Sequence, residues 1–171
     1  SEVRRRLLHR RVVEALAAGY AGSLDEVAHQ MAVHYEEMGS YEAAIAHYRQ
    51  AAKVAARVYA HQETLDHLQH ALALLSKLPA DGEMWVKLVE QQASVLAMMG
   101  EYEKARAVLE TAVSHAPRKV HQVKLLYQQG DTWLAQQQQA EALITFDRAL
   151  ALLDEGAGQN EDGWEQSWLE I

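Results

Sequence analysis

Apolar residues recur along the chain at the three- and four-residue spacing of helices, and no stretch shows the alternation of a strand. The pattern predicts helices over residues 2–18, 24–37, 41–58, 61–77, 83–98, 102–114, 118–135 and 139–153, with another beginning near residue 163. Ser23 and Glu26 in the stretch SLDE have the spacing of a capping box, which predicts that the second helix begins there. The sequence therefore predicts an all-α fold.

One short motif occurs several times in these helices. GSYEAAIAHYRQA begins at Gly39, and GEYEKARAVLETA begins at Gly100 and matches it at Gly, Tyr, Glu and three Ala positions. AEALITFDRAL from Ala140 and QETLDHLQHAL from Gln62 are looser copies. Small residues at fixed positions allow two helices to approach closely, and self-similar segments indicate stacked units. We therefore expect an array of helical repeats.

The spacing of the copies leaves one question open. Gly39 and Gly100 are 61 residues apart, which is less than two repeats of about 34 residues each. In one interpretation, helix 41–58 ends one repeat and begins the next. In the other, a break near Ala55 hides a short extra helix.

Three segments resemble the tetratricopeptide repeat (TPR), in which a Gly of the first helix and an Ala of the second permit close packing. The positions that carry the resemblance are Ala32, Gly39, Ala44, Tyr48, Ala51, then Ala93, Gly100, Ala105, Ala112, Pro117, then Gly130, Trp133, Ala142, Phe146 and Ala149. The resemblance implies a right-handed TPR superhelix (an α-solenoid) of about four helix-pair units with an extra helix at each end.

The sequence from RRRLLHRRVVEAL onwards is also similar to TPR arrays of bacterial STAND-class signalling ATPases and transcription regulators, where the array is a sensor. The resemblance implies three parts: residues 1–22, an N-terminal helix that links to an upstream domain; residues 23–156, the TPR array; and residues 157–171, a loop and the start of a truncated repeat. No GxxxxGK[ST] motif for a nucleotide occurs in these residues. The truncated helix, with Trp164 and Trp168, is expected to allow self-association.

Composition narrows the possible partners. The chain has no Cys, no signal-peptide pattern and no apolar run that could cross a bilayer, so we expect a cytoplasmic protein without a membrane partner. The net charge is −8, whereas residues 1–11 hold five Arg against one Glu, or +4, which leaves −12 for the rest. An acidic body is a poor surface for phosphates, so no nucleic-acid partner is expected.

The resemblance implies a non-enzymatic module that binds a peptide or protein in a groove lined by the first helix of each unit. Arg49, Lys53 and Arg57 form a basic row at four-residue intervals, and the other candidate groove residues are Glu26, Glu36 and Tyr127. These charges would suit a ligand of mixed charge, or they could simply pair between neighbouring helices. A metabolite receptor and a plain assembly scaffold are alternative functions for the same fold.

Nine histidines raise the question of a metal site. Glu63, His67 and His70 share one face of the predicted helix 61–77, but no HExxH motif or second ligand cluster accompanies them. We therefore predict no metal and no cofactor. No nucleophile elbow or paired-carboxylate motif occurs either, so no enzymatic activity is predicted.

Overall fold

The computed structural model describes residues 2–79 and 81–157, which form eight α-helices and one 3₁₀ turn and contain no strand. The helices are α1 (Glu2–Gly19), α2 (Ala28–Glu37), α3 (Tyr41–Arg57), α4 (His61–Leu75), α5 (Gly82–Met98), α6 (Tyr102–His115), α7 (Lys119–Ala135) and α8 (Gln139–Ala157). The all-α prediction is confirmed. The further helix predicted near residue 163, with Trp164 and Trp168, lies outside the described residues.

The predicted capping box at the start of the second helix is wrong. Residues Leu24–Val27 form the 3₁₀ turn, and the side chain of Ser23 makes no capping hydrogen bond. Helix α2 begins only at Ala28. The tighter turn accompanies the burial of Val27, which packs with Val13 of α1 and Met31 of α2. Apolar contact between α1 and α2 therefore prevails over the local capping signal.

The chain divides into two compact units, residues 1–81 and 82–171. In the first unit, α1 packs on α2, α2 on α3, and α3 on α4. In the second unit, α5 packs on α6, α6 on α7, and α7 on α8, and α5 also contacts α7. The division falls in the stretch LPADG, where Pro and Gly interrupt the helical pattern.

Four helix pairs are joined by the same type of turn. The second residue after the end of the first helix has a positive φ at each turn: 75° at Gly39, 59° at Tyr59, 78° at Gly100 and 61° at Gln137. The next amide then donates a hydrogen bond to the carbonyl five residues back, as from Ser40 to Tyr35 at 3.0 Å. The equivalent bonds run from Ala60 to Ala55, from Glu101 to Leu96 and from Gln138 to Trp133. This is the Schellman pattern, which satisfies free carbonyls at a helix end.

The turn at Tyr59 answers the question about the spacing of the repeats. Helix α3 continues to Arg57, and it is the second helix at the Gly39 turn and the first helix at the Tyr59 turn. Its two sides pack on α2 and on α4. Helix α3 is therefore shared by two consecutive helix pairs, so that one further turn of this type, at Tyr59, lies within the 61 residues from Gly39 to Gly100.

The small residues of the repeat motif are buried. Ala44, Ala105 and Ala142 follow three of the turns at the same distance and have no exposed surface, and Thr64 takes the same position after the Tyr59 turn. Ala32, Ala51, Ala93, Ala112 and Ala149 are buried as well. Helix α6 ends before Pro117, because Ala116 is already extended with a ψ of 131°.

Candidate functional site

Three helices of the first unit bring a group of rings together around Tyr48. The ring of Tyr48, on α3, has its centroid 5.1 Å from that of His70 and 6.1 Å from that of His67, both on α4. His29 of α2 lies 5.0 Å from His67 and 6.2 Å from Tyr48. We call these four residues the histidine–tyrosine cluster. It exists because α3 is shared, since α2 and α4 flank the same helix.

The histidine–tyrosine cluster favours the uncharged forms of its two buried members, Tyr48 and His67. Tyr48 donates a hydrogen bond of 2.8 Å to Glu36. Burial, together with this bond to a carboxylate, raises the pKa of Tyr48 above its ordinary value. Burial lowers the pKa of His67, and the neighbouring His29 lowers it further, although Glu63 opposes the shift. The buried part of the cluster therefore favours neutral side chains near pH 7.

The three residues weighed as metal ligands do not converge on one point. The Nε2 of His67 lies 3.5 Å from Glu63. The Nδ1 of His70 instead lies 2.8 Å from the carbonyl of Asp66, and its ring stacks on Tyr48. Among residues 2–79 and 81–157, no group of three or more His, Asp or Glu side chains is placed to hold a metal ion.

The three members of the basic row on α3 have different surroundings in the structure. Arg57 forms an ion pair of 3.0 Å with Asp25, which also accepts a hydrogen bond from Gln50 at 2.5 Å. Charge pairing between neighbouring elements, the alternative reading of this row, therefore holds for Arg57. Lys53 is exposed and has no ion pair among the described residues. Arg49 is half-buried, and its Nε makes no hydrogen bond to any described residue.

The other predicted groove residues have different surroundings. Glu36 accepts the hydrogen bond from Tyr48, whereas Glu26 is exposed at the 3₁₀ turn, where Asp25 makes the contact with Arg57 instead. Tyr127 belongs to the second unit, and its ring lies 5.3 Å from that of Phe146. The basic row, Glu26 and Glu36 are therefore features of the first unit alone.

Two further ring contacts in the first unit were not expected from the sequence. The Nδ1 atoms of His9 and His34 lie 2.7 Å apart, which joins α1 to α2. The rings of Tyr35 and His47 are stacked with centroids 5.2 Å apart, which joins α2 to α3. Histidine at helical spacing carries no signal of its own, so only the packing of the helices could identify these pairs.

In the second unit, a buried arginine joins α6 to α7. The guanidinium carbon of Arg106 lies 3.6 Å from the ring centroid of Trp133. Arg106 also donates a hydrogen bond of 2.7 Å to Gln136 and pairs with Glu103 at 3.3 Å. Trp133, one of the repeat positions, therefore supports a cation–π contact that holds two helices together.

Comparisons with known proteins agree with this architecture. Residues 26–57, which cover α2 and α3, match the family model of the tetratricopeptide repeat. One crystal structure of MamA is 18% identical with a TM-score of 0.54, and the alignment covers 86% of this chain and 88% of MamA. A second MamA structure is 15% identical with a TM-score of 0.55, over 92% of this chain and 96% of that one.

The TPR-like repeats of a Podosopora anserina chain described as a kinesin light chain are also similar, with 17% identity and a TM-score of 0.51 over 90% of this chain and 94% of that one. A search of curated proteins gave no match. At these identities the similarity shows the fold, which is that of a TPR-like repeat array. No helix within residues 2–79 and 81–157 has the length and apolarity needed to cross a bilayer.

Proposed function

We propose that this chain is a non-enzymatic interaction module of a larger bacterial signalling protein of the STAND class, and that it binds a protein or peptide partner through α3. Repeat arrays present rigid helical surfaces, and they bind their partners through side chains on those surfaces. The segment that matches the tetratricopeptide repeat, residues 26–57, includes the basic row. The resemblance of the first 75 residues to sensor arrays supports the signalling context.

The charge state of α3 is the observation that carries the proposal. Lys53 is exposed without an ion pair among the described residues, and Arg49 next to it has a nitrogen that no described residue satisfies. The chain outside residues 1–11 has a charge of −12, so these two cationic side chains of α3 lie on an otherwise acidic body. Because Asp25 already pairs with Arg57, only the first two members of the row remain for an acidic group of a partner.

The test compares two variants that change the net charge equally. Arg49→Glu combined with Lys53→Glu should reduce the partners captured from a native lysate by roughly tenfold or more. Lys104→Glu combined with Arg148→Glu makes the same charge change on α6 and α8, and should retain them. Added salt should weaken binding by the parent, because salt screens the attraction between charges that are more than about 10 Å apart.

Circular dichroism checks that both double variants are folded. Equal loss of partners in the two variants would mean that net charge alone drives capture. Full retention in both would remove α3 as the binding surface. In the full-length signalling protein, the same substitutions on α3 should abolish the response to the partner, and a normal response would exclude the sensor role.

A further inference from the structure

Helix α1 has an exposed face on which two arginines flank two leucines. This face consists of Arg4, Leu7, Leu8 and Arg11. The two leucines are adjacent, and each lies three or four residues from both arginines, so all four share one side of the helix. Leu7 and Leu8 are 48% and 54% exposed. The helix packs on α2 through Val13, which lies on the other side of α1.

The charges on this face of α1 are not used within the chain. The ion pairs of α1 among the described residues are those of Arg5 with Glu37 and of Arg6 with Glu2. Arg4 and Arg11 are exposed and form no ion pair or hydrogen bond within the part of the chain that the structure describes. An apolar surface between two such cations suits a partner surface with apolar residues and two carboxylates.

Helix α8 has such a face. Leu143 and Ile144 are each 63% exposed and Leu150 is 51% exposed, although α8 is packed on α7 through its opposite side. Asp147 and Asp154 share this outer face, because 143, 144, 147, 150 and 154 again follow the three- and four-residue spacing. Within the described residues, the ion pairs of α8 are made by Arg148 and Glu155, so both aspartates remain unpaired.

The two faces match in spacing as well as in sign. Arg4 and Arg11 are seven residues apart, and so are Asp147 and Asp154, which places the members of each pair about 10.5 Å apart along their helices. Leu7 and Leu8 lie between the arginines, and Leu150 lies between the aspartates. Helices of 18 and 19 residues provide contact surfaces of nearly equal length.

We propose that α1 of one molecule packs on α8 of a second copy of this chain, so that copies associate head to tail. Such an interface is heterologous, because each copy contributes a different surface, and it extends into a chain or closes into a ring. The proposal concerns surfaces other than the basic row on α3, and it does not depend on the proposed function.

The decisive experiment uses two variants of the 171-residue chain, and each variant has one of the two faces disabled. Leu7→Glu with Leu8→Glu removes the α1 face, and Leu143→Glu with Ile144→Glu removes the α8 face. Sedimentation velocity of the parent should show a mass that rises with concentration and falls with added salt. Each variant alone should stay monomeric, whereas an equimolar mixture should form a 1:1 dimer, since each variant retains the face that the other lacks.

A charge exchange provides a second test with the apolar residues intact. Arg4→Glu with Arg11→Glu, and Asp147→Lys with Asp154→Lys, should each weaken association by roughly tenfold or more. Mixing these two variants restores opposite charges at both interfaces and should restore association. The matched control, Val58→Glu with Tyr59→Glu, alters residues that are 70% and 80% exposed elsewhere and should associate as the parent does.

Other outcomes would overturn the proposal. If the α1-disabled variant still dimerises alone, the contact is a two-fold one through α8. If residues 158–171 of the same chain cover α8, the parent stays monomeric at every concentration and Trp164→Ala with Trp168→Ala makes it associate. A parent that stays monomeric with or without those substitutions would leave α1 and α8 without this role.

Discussion

The backbone of Gly130 on α7 lies directly against the ring of Phe146 on α8. A methyl group added at Gly130 would be 2.3 Å from one ring carbon of Phe146 and 2.6 Å from the next, which is closer than any ordinary contact. The ring is in turn packed against Tyr127, with the two ring centroids 5.3 Å apart. The missing side chain of Gly130 is therefore the condition for the packing of α7 on α8 through this ring.

We expect Gly130→Ala to lower the free energy of unfolding by about 1–2 kcal/mol, because overpacking outweighs the better helix propensity of Ala. In a chain with Phe146→Ala, the same substitution should instead raise it by up to about 1 kcal/mol, since the ring is absent. Urea denaturation of the parent, both single variants and the double variant measures this coupling. Strictly additive effects would show that the Gly130–Phe146 contact does not limit the packing.

The positive φ values at the turns predict opposite effects for two substitutions. Gly39→Ala should lower the free energy of unfolding by about 1 kcal/mol, although no atom lies within 4 Å of the added methyl group. Tyr59→Gly should raise it by up to about 1 kcal/mol, because Tyr59 holds a φ of 59° and is 80% exposed. Gly22→Ala, where φ is not positive, is the control and should have a smaller effect.

Thermal melting with matched helical content by circular dichroism is the measurement for these turn variants. A stabilised Gly39→Ala variant, or a Tyr59→Gly variant that melts well below the parent, would contradict the assignment of the two turns to one type.

The histidines of the first unit predict a loss of stability in mild acid. Burial lowers the pKa of His34, His47 and His67 below the ordinary value of 6.5. The unfolded chain therefore binds more protons than the folded chain below about pH 6.5, so the free energy of unfolding falls as the pH falls through that value. Above it these groups are neutral in both states and add no pH dependence.

The measurement is the urea midpoint between about pH 7.5 and 5, a range in which the carboxylates contribute little. His67 faces His29, Tyr48, Glu63 and His70, and its replacement by Gln should make the pH dependence shallower. His115→Gln, on the exposed side of α6, is the matched control and should leave the slope as it is in the parent. A His67→Gln slope as steep as that of the control would mean that His67 is not a source of the pH effect.

We expect both the planar shape and the charge of the Arg106 side chain, which lies over the ring of Trp133, to stabilise the packing of α6 on α7. Arg106→Ala should lower the free energy of unfolding by about 2 kcal/mol, because it removes the contact with Trp133 and the hydrogen bonds to Gln136 and Glu103. Arg106→Lys keeps the charge but not the planar group, so it should recover only part of this loss. Chemical denaturation tests both, with the exposed neighbour Lys104→Ala as the control.

The sequence predicted the close approach at Gly130, because a small residue at this position of the repeat that it resembles lets two helices pack closely. It could not decide that α3 is shared, because Tyr59 takes the conformation that Gly39 takes elsewhere and carries no glycine signal. The type of turn at Gln137 could not be predicted for the same reason, although the break between helices 118–135 and 139–153 was predicted. Helix boundaries could be predicted where the helical spacing of apolar residues stops. The prediction was poorest at Val27, where packing against α1 and α2 outweighs the local capping signal.

The candidate site was harder to predict than the fold. The basic row was visible as Arg49, Lys53 and Arg57, but the sequence does not say that Asp25, 32 residues away from Arg57, would reach one of its members. The histidine–tyrosine cluster joins α2 and α4 across a shared helix, so its membership follows only once that sharing is known. The packing of the helices decides which surface charges and rings come into contact, and no local sequence pattern reveals these contacts.

The sharing of α3 also determines how the first unit can come apart. In a repeat array, each repeat contributes its own stability and each boundary between repeats contributes an interface term. Here one helix belongs to both repeats, so unfolding α3 removes a packing partner of both α2 and α4 in a single event. We therefore expect the helices α2, α3 and α4 to unfold as one cooperative unit. Their slowest-exchanging amides should report a common free energy of opening, instead of the gradient expected when repeats open one by one.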